Sequence, residues 1–256
     1  MHNTRFILNE QGEKLFVEEF IPAEAKATII FCHGITGCRK GRTPDDDYLQ
    51  IYAKELSELN YKVVLFDFSG HGDSEGQDID VKPSKNSKEL AAVYHDVVKN
   101  GDKVNFLAFS YGTTCLCKFL EDNPEVEPNK IVLISPGFFP AQASFINENT
   151  AFGKDVAADY KSGKMKESGF SLISAKNFRL GYDCLKETLE FSPDYFKKFA
   201  DRTLAFTGTQ DAIFDTSYNI NFMREAGIKN VMLDASHSLF EDFENFKKQA
   251  TEFFES

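Results

Sequence analysis

An apolar run from Val104 to Phe109 ends at Ser110, and helical apolar spacing follows through Leu116, Phe119 and Leu120. A hydroxyl at the junction of a buried strand and a helix stands where a parallel sheet gathers its functional groups. Ala108 and Gly112 lie two positions to either side, giving Ala108-Phe109-Ser110-Tyr111-Gly112. Small residues there let strand and helix backbones approach closely, as in the G-x-S-x-G turn that exposes a nucleophilic serine. Here an alanine replaces the first glycine. The same serine also suits a helix N-cap, so the nucleophile reading depends on what else the chain supplies.

A serine hydroxyl needs a positioned base, and the chain has five histidines. His2 is terminal, and His95 falls off the Leu90/Val93/Val97 stripe of an amphipathic helix, where it should be solvated. His33 and His71 sit in glycine-bounded loops after strands. His237, in "LDASHSLF", follows the last strand and precedes the last helix, on the same sheet edge as Ser110. A third group should orient the imidazole and stabilise its charged form. Asp211 of "LAFTGTQDAIF" is the candidate, with Asp215 as fallback. The order Ser110, Asp211, His237 matches one of the known triad arrangements.

An attacked carbonyl needs preorganised N–H donors for its oxygen. The Tyr111 amide, at the start of the helix after Ser110, is one candidate. The Ile35 amide, in "FCHGITG" after an earlier strand, is the other. Ser69 also follows a strand but runs into "GHGDSEG", a charged loop, and reads as a turn residue. His71 reads as a brace of that loop, with a pocket-facing role as the alternative, and Asp67 reads as structural.

The elements that must position these groups alternate. "RFILNEQGEKLFVEEFIP" predicts two strands around a turn, "KATIIFCHG" a buried strand, 46–59 a helix, and "YKVVLFDFSGHGDSEG" a buried strand breaking into a loop. A helix beginning at Ser87 follows, then the strand before Ser110, a helix to about Asp122 and the strand "KIVLISP". Residues 137–200 interrupt the alternation with short helical or irregular pieces dense in Phe and Tyr. It resumes with "RTLAFTGTQD", a helix over 216–226, "NVMLDASH" and a helix over 239–254. Continuous apolar strands separated by helices imply an α/β fold with a mostly parallel sheet covered on both faces. The chain divides into a core, 1–136 and 201–256, and an inserted cap, 137–200.

The balance of 29 basic against 40 acidic residues gives a net charge of −11. An acidic surface repels phosphate backbones and anionic headgroups, which speaks against nucleic acid and membrane partners. Five cysteines without framework spacing read as reduced thiols of a cytoplasmic protein, and no stretch reads as a signal peptide or membrane span. Phenylalanine is abundant (26) and tryptophan absent, which favours aromatic packing. A homodimer is possible, but no pattern demands one.

The chain resembles the α/β-hydrolases, specifically their capped lipase/esterase and serine-aminopeptidase-like branch. The resemblance rests on His33-Gly34-Ile35-Thr36-Gly37, on the stretch from Asp67 to Gly76, on the turn at Ser110, on Gly208-Thr209-Gln210-Asp211 and on Ser236-His237. "D-x-x-G-H-G-x-S" is similar to monoacylglycerol lipases and bacterial cinnamoyl/feruloyl esterases. The resemblance implies an eight-stranded sheet, a cap between the sixth strand and the segment bearing the acid, and no metal or organic cofactor. It implies a small-molecule substrate, a carboxylic ester with a hydrophobic acyl or aryl part, cleaved by a serine hydrolase through an acyl-enzyme. The same groups would serve an acyltransferase or thioesterase, and members of this fold can also act as small-molecule receptors with little turnover.

Overall fold

The computed structural model describes residues 1–40, 47–99 and 101–256. Its strands are β1 (His2–Leu8), β2 (Lys14–Phe20), β3 (Ala27–Cys32), β4 (Tyr61–Phe66), β5 (Val104–Phe109), β6 (Lys130–Ile134), β7 (Phe170–Ile173), β8 (Phe178–Gly181), β9 (Thr203–Gly208) and β10 (Lys229–Leu233). Eight of them form one sheet in the order β1-β2-β4-β3-β5-β6-β9-β10, and β7 and β8 pair separately. The β1–β2 and β2–β4 pairings are antiparallel and the rest of the large sheet is parallel. β3 has β4 on one side and β5 on the other, so the chain reverses its direction across the sheet there. Such a reversal opens a crevice beyond the carboxyl ends of the strands.

Period-two alternation along the central strands divides the core between the two faces. Ile30 and Cys32, Val64 and Phe66, and Phe106 and Ala108 pack on one face with α2 (Pro83–Val97) and α3 (Tyr111–Asp122). Ile29 and Phe31, Val63 and Leu65, and Leu107 pack on the other with α1 (Tyr48–Glu58) and α8 (Phe243–Glu255). Both faces are apolar because both are covered, and each fully buried large side chain contributes about 1.5–3 kcal/mol.

One helix boundary differs from the expectation. α2 begins at Pro83, not at Ser87. Proline presets φ for a first helical turn, where its missing N–H costs nothing. Ser87 lies a turn inside, buried, with its hydroxyl bonded to Asp122 of α3 at 2.9 Å. The start of the first expected helix at Asp46 and the expected end of α2 at Asn100 lie outside the described residues; the observed helices span 48–58 and 83–97. α7 (Thr216–Ala226) spans the expected range, and the last helix starts at Phe243 after a 3-10 turn, Phe240–Asp242.

Between β6 and β9 the chain forms a π-helical turn (Ala141–Phe145), α4 (Gly153–Lys161), α5 (Lys164–Ser168), the β7–β8 hairpin, α6 (Tyr182–Glu190) and a 3-10 stretch, Asp194–Arg202. Its buried aromatics do not form a core of their own. Phe138, Phe145, Phe178, Phe196 and Phe199 belong to the same cluster as α2 and α3. Phe138 bridges to Phe222 of α7, with ring centroids 4.6 Å apart. Among the described residues, no helix is long and apolar enough to cross a membrane.

Candidate active site

Ser110 has φ 55° and ψ −124°, a left-handed backbone that β5 and α3 jointly impose. Its N–H donates to the Ile134 carbonyl at 2.9 Å, and its own carbonyl accepts the Thr113 and Gly137 amides at 2.9 and 3.0 Å. The turn is tight enough that a Cβ on Gly112 would sit 2.4 Å from the Cys32 carbonyl oxygen. Ala108, by contrast, is wholly buried with its methyl inside the core. Ser110 occupies the N-cap position of α3, yet its hydroxyl caps nothing. It faces His237 instead, with Oγ 2.8 Å from Nε2.

The His237 Nδ1–H donates to Asp211 Oδ2 at 2.7 Å. Asp211 is itself fixed, because its other oxygen accepts the Ile213 and Phe214 amides at 2.8 and 2.9 Å. The two residues meet because the β9 and β10 ends run together. The Thr209 and Gln210 amides donate to Leu233 and Ala235, and a Cβ on Gly208 would stand 2.3 Å from the Ser236 carbonyl oxygen. Phe109 and Phe214 flank the imidazole, with centroids 5.2 and 5.0 Å away. Neither was singled out from sequence, although Phe109 is the residue before the serine. Asp215 does not join this group: it caps α7, accepting the Ser217 amide at 3.1 Å.

The Ile35 and Tyr111 amides donate to no protein acceptor among the described residues. The peptide carrying the Ile35 N–H is held from its opposite side. Its Gly34 carbonyl accepts from His33 Nδ1 at 2.8 Å and from the Gly37 amide at 3.1 Å. His33 Nε2 accepts the Phe68 amide at 3.0 Å, which a neutral ring alone can do. Burial, with His71 as neighbour, pushes the His33 pKa down to about 3.

The remaining candidates brace the surrounding loops. His71 Nε2 reaches the Ile35 carbonyl and Nδ1 lies 3.1 Å from the Ser69 carbonyl. Burial lowers its pKa as well. Asp67 accepts the Arg39 amide at 2.7 Å, the Asp73 amide at 2.9 Å and the Arg39 guanidinium. Among the described residues, the buried Ser69 hydroxyl has no hydrogen-bond partner. His2 pairs with Glu18, and His95 is exposed on α2. Sequence reading passed over Arg39, whose buried guanidinium also bonds Glu18 at 3.0 Å and Asp73 at 2.7 Å and lies 3.8 Å from the Phe16 ring centroid. Its position two residues after Gly37 in an acidic chain was the available signal. All five cysteines are free thiols, and burial raises the pKa of each, so none offers a thiolate near neutral pH.

A cavity of about 530 Å³ opens over Ser110 and His237. Ile35, Leu49, Phe109, Phe152, Ile213 and Phe240 supply apolar wall, while Lys40, Lys176, Gln210 and Glu241 supply polar wall. Of the described residues in 137–200, Phe152 and Lys176 reach it.

The family model for serine aminopeptidase, S33, matches residues 23–168, more than half the chain and including Ile35, Ser110 and Tyr111. Lysophosphatidylserine lipase ABHD12 from Macaca fascicularis is 34% identical over 135 residues, covering 50% of this chain and 31% of that protein. The Mus musculus protein gives the same identity and coverage. The matched region is thus about a third of the length of these curated relatives. Among solved structures, Est1E from Butyrivibrio proteoclasticus, with ferulic acid bound, superposes with a TM-score of 0.77 at 18% identity, over 98% of this chain and 97% of that one. A putative hydrolase from Agrobacterium vitis S4 gives 0.75 at 16% identity, over 99% of both chains. These likenesses carry the fold from end to end, beyond the stretch the family model matches. The chain has the α/β-hydrolase fold and belongs to the serine aminopeptidase S33 family.

Proposed function

We propose that the protein is a serine hydrolase that cleaves carboxylic esters bearing a hydrophobic acyl or aryl group. One observation carries the reading: the hydrogen-bonded line from Ser110 Oγ through His237 to Asp211. With Nδ1–H committed to Asp211, the Nε2 lone pair faces the serine hydroxyl. His237 takes that proton as Oγ attacks the ester carbonyl, and the Ile35 and Tyr111 amides receive the developing oxyanion. His237 then protonates the departing alcohol. Water, deprotonated by the same imidazole, attacks the acyl carbonyl, and His237 returns the proton to Ser110 Oγ as the acid leaves. The His237 cation formed at each step is stabilised by the Asp211 carboxylate.

The apolar wall around Phe109, Phe152 and Ile213 suits an acyl or aryl group. The relatives fit this class: one set acts on lysophosphatidylserine, and Est1E was solved with ferulic acid. We assign residues 137–200 the role of a cap because Phe152 and Lys176 bring that segment to the cavity. Five free thiols support a reducing, cytoplasmic setting. The test is turnover of p-nitrophenyl esters of graded chain length and of a methyl hydroxycinnamate by wild type and Ser110→Ala. Steady turnover that falls about 10⁶-fold in the variant is expected. Near-wild-type activity in Ser110→Ala would overturn the reading.

A further inference from the structure

We infer that His71 is a positioning residue for the oxyanion side of the site, and that Phe178 of β8 holds it in place. The inference rests on the functional reading above, in which the Ile35 amide receives the oxyanion.

An amide N–H is aimed by the peptide planes around it, since each plane is rigid. The plane before Ile35 is tied through the Gly34 carbonyl, as described. The plane after it has a single tie among the described residues, from the Ile35 carbonyl to His71 Nε2. A neutral imidazole carries one N–H. In the tautomer with that proton on Nε2, the ring donates to the Ile35 carbonyl. With both planes fixed, the backbone dihedrals of Ile35 are fixed, and so is the direction of its amide.

His71 cannot drift from this contact. Gly70 and Gly72, at φ 74° and 52°, clamp its loop: a Cβ on Gly70 would meet Gln77 at 2.6 Å, and one on Gly72 would meet Asp67 Oδ2 at 2.2 Å. The ring touches His33 edge-on at 4.9 Å and stacks on Phe178 at 5.4 Å and 29°. Phe178 is anchored in turn. The Arg179 amide and Nε donate to the two Asp78 oxygens at 2.7 and 2.8 Å, and Gly181 packs so closely that a Cβ would stand 2.2 Å from the Ile79 carbonyl oxygen. Contacts therefore run from Asp78 and Arg179 through Phe178 and His71 to Ile35. On this view β8 is a fixed buttress of the catalytic centre rather than a mobile cover.

The experiment compares wild type, His71→Leu, His71→Gln and Phe178→Leu, each checked for an intact melting transition. Its readouts are kcat and KM on a p-nitrophenyl ester, and affinity for an alkylboronic acid, whose oxygen occupies the oxyanion position once boron bonds to Ser110. Binding of the product carboxylic acid serves as the ground-state control. A misdirected donor should lower kcat about 10–100-fold in His71→Leu with KM within about twofold, and weaken boronate binding by a similar factor. Product-acid binding should not change. His71→Gln, whose amide can still donate to Ile35, should recover to within about threefold of wild type, and Phe178→Leu should fall between. A folded His71→Leu with wild-type kcat and boronate affinity overturns the inference, as does a loss that His71→Gln does not rescue. Wild type that neither turns over esters nor binds the boronate overturns the functional reading itself. Wild type that binds the boronate without turnover leaves the affinity comparison to decide on His71.

Discussion

Ser110 Oγ and His237 Nε2 stand 2.8 Å apart although 127 positions separate them in the chain. Each lies just beyond the carboxyl end of its strand, and β5 and β10 are held in one parallel sheet by β6 and β9 between them. The closeness is a property of the sheet, reached through close backbone approaches at Gly112 and Gly208.

The two aspartates after β9 sit in different settings, Asp211 on His237 and Asp215 at the start of α7, and substitution should separate their roles. Asp211→Asn keeps the shape of the side chain but withdraws the charge behind His237, and kcat should fall about 10⁴-fold. Asp215→Ala should leave kcat unchanged and cost about 1 kcal/mol of stability through the lost cap of α7. Kinetics and denaturant melts on the two variants check both. The reverse pattern would transfer the acid to Asp215.

Gly112 is fixed by contact with β3 rather than by its own backbone angles. Gly112→Ala places a methyl against the Cys32 and His33 carbonyls at 2.4 and 2.7 Å. We expect a loss of about 3 kcal/mol in urea denaturation, together with reduced turnover in the protein that remains folded. An alanine variant of wild-type stability would mean that α3 can slide away from β3.

The pH dependence of stability should carry the signature of His33. Burial depresses its folded pKa to about 3 from an ordinary 6.5. Between those values the unfolded chain binds a proton that the folded chain does not. The contribution is therefore fully present above about pH 6.5 and is lost as pH falls towards 3, at about 1.4 kcal/mol per pH unit mid-window. Unfolding free energies at pH 7, 6, 5 and 4 for wild type and His33→Asn would show it. The wild-type slope should be steeper by about that amount, and parallel slopes would refute the assignment.

Phe152 brings the 137–200 segment to the cavity wall. Phe152→Leu removes ring volume while keeping an apolar side chain, so stability should change by about 1 kcal/mol. The ratio of kcat/KM for a longer acyl ester to that for a short one should rise about tenfold. An unchanged ratio would place acyl selection elsewhere on the wall.

Much of the site was legible because its chemistry is tied to strand ends. Ser110 and Asp211 follow the largely apolar runs of β5 and β9, which lie inside the sheet, and His237 follows the edge strand β10. The start of α2 was missed because a serine competes with a proline one turn earlier, and tertiary contact with Asp122 explains Ser87 better than capping does. The β7–β8 hairpin was missed because four-residue strands inside an aromatic-rich stretch have too little alternation to read. That Phe152 lines the cavity while Phe138 packs on Phe196 and Phe222 depends on how the segment folds back, which spacing does not encode. The role of Arg39 was hard to read for a related reason. Its three carboxylates, Glu18, Asp67 and Asp73, come together only once β2 and β4 are paired.

The left-handed backbone at Ser110 has a consequence for the molecule as a whole. A side chain at φ 55° costs roughly 1–3 kcal/mol that glycine would not. Ser110→Gly and Ser110→Ala both lack the hydroxyl, so their difference isolates that cost, and the glycine form should be the more stable by about 1 kcal/mol or more in urea denaturation. The inert glycine protein would be sturdier than the equally inert alanine one. The hydroxyl-bearing residue at this turn thereby holds the chain below the stability its own fold would permit.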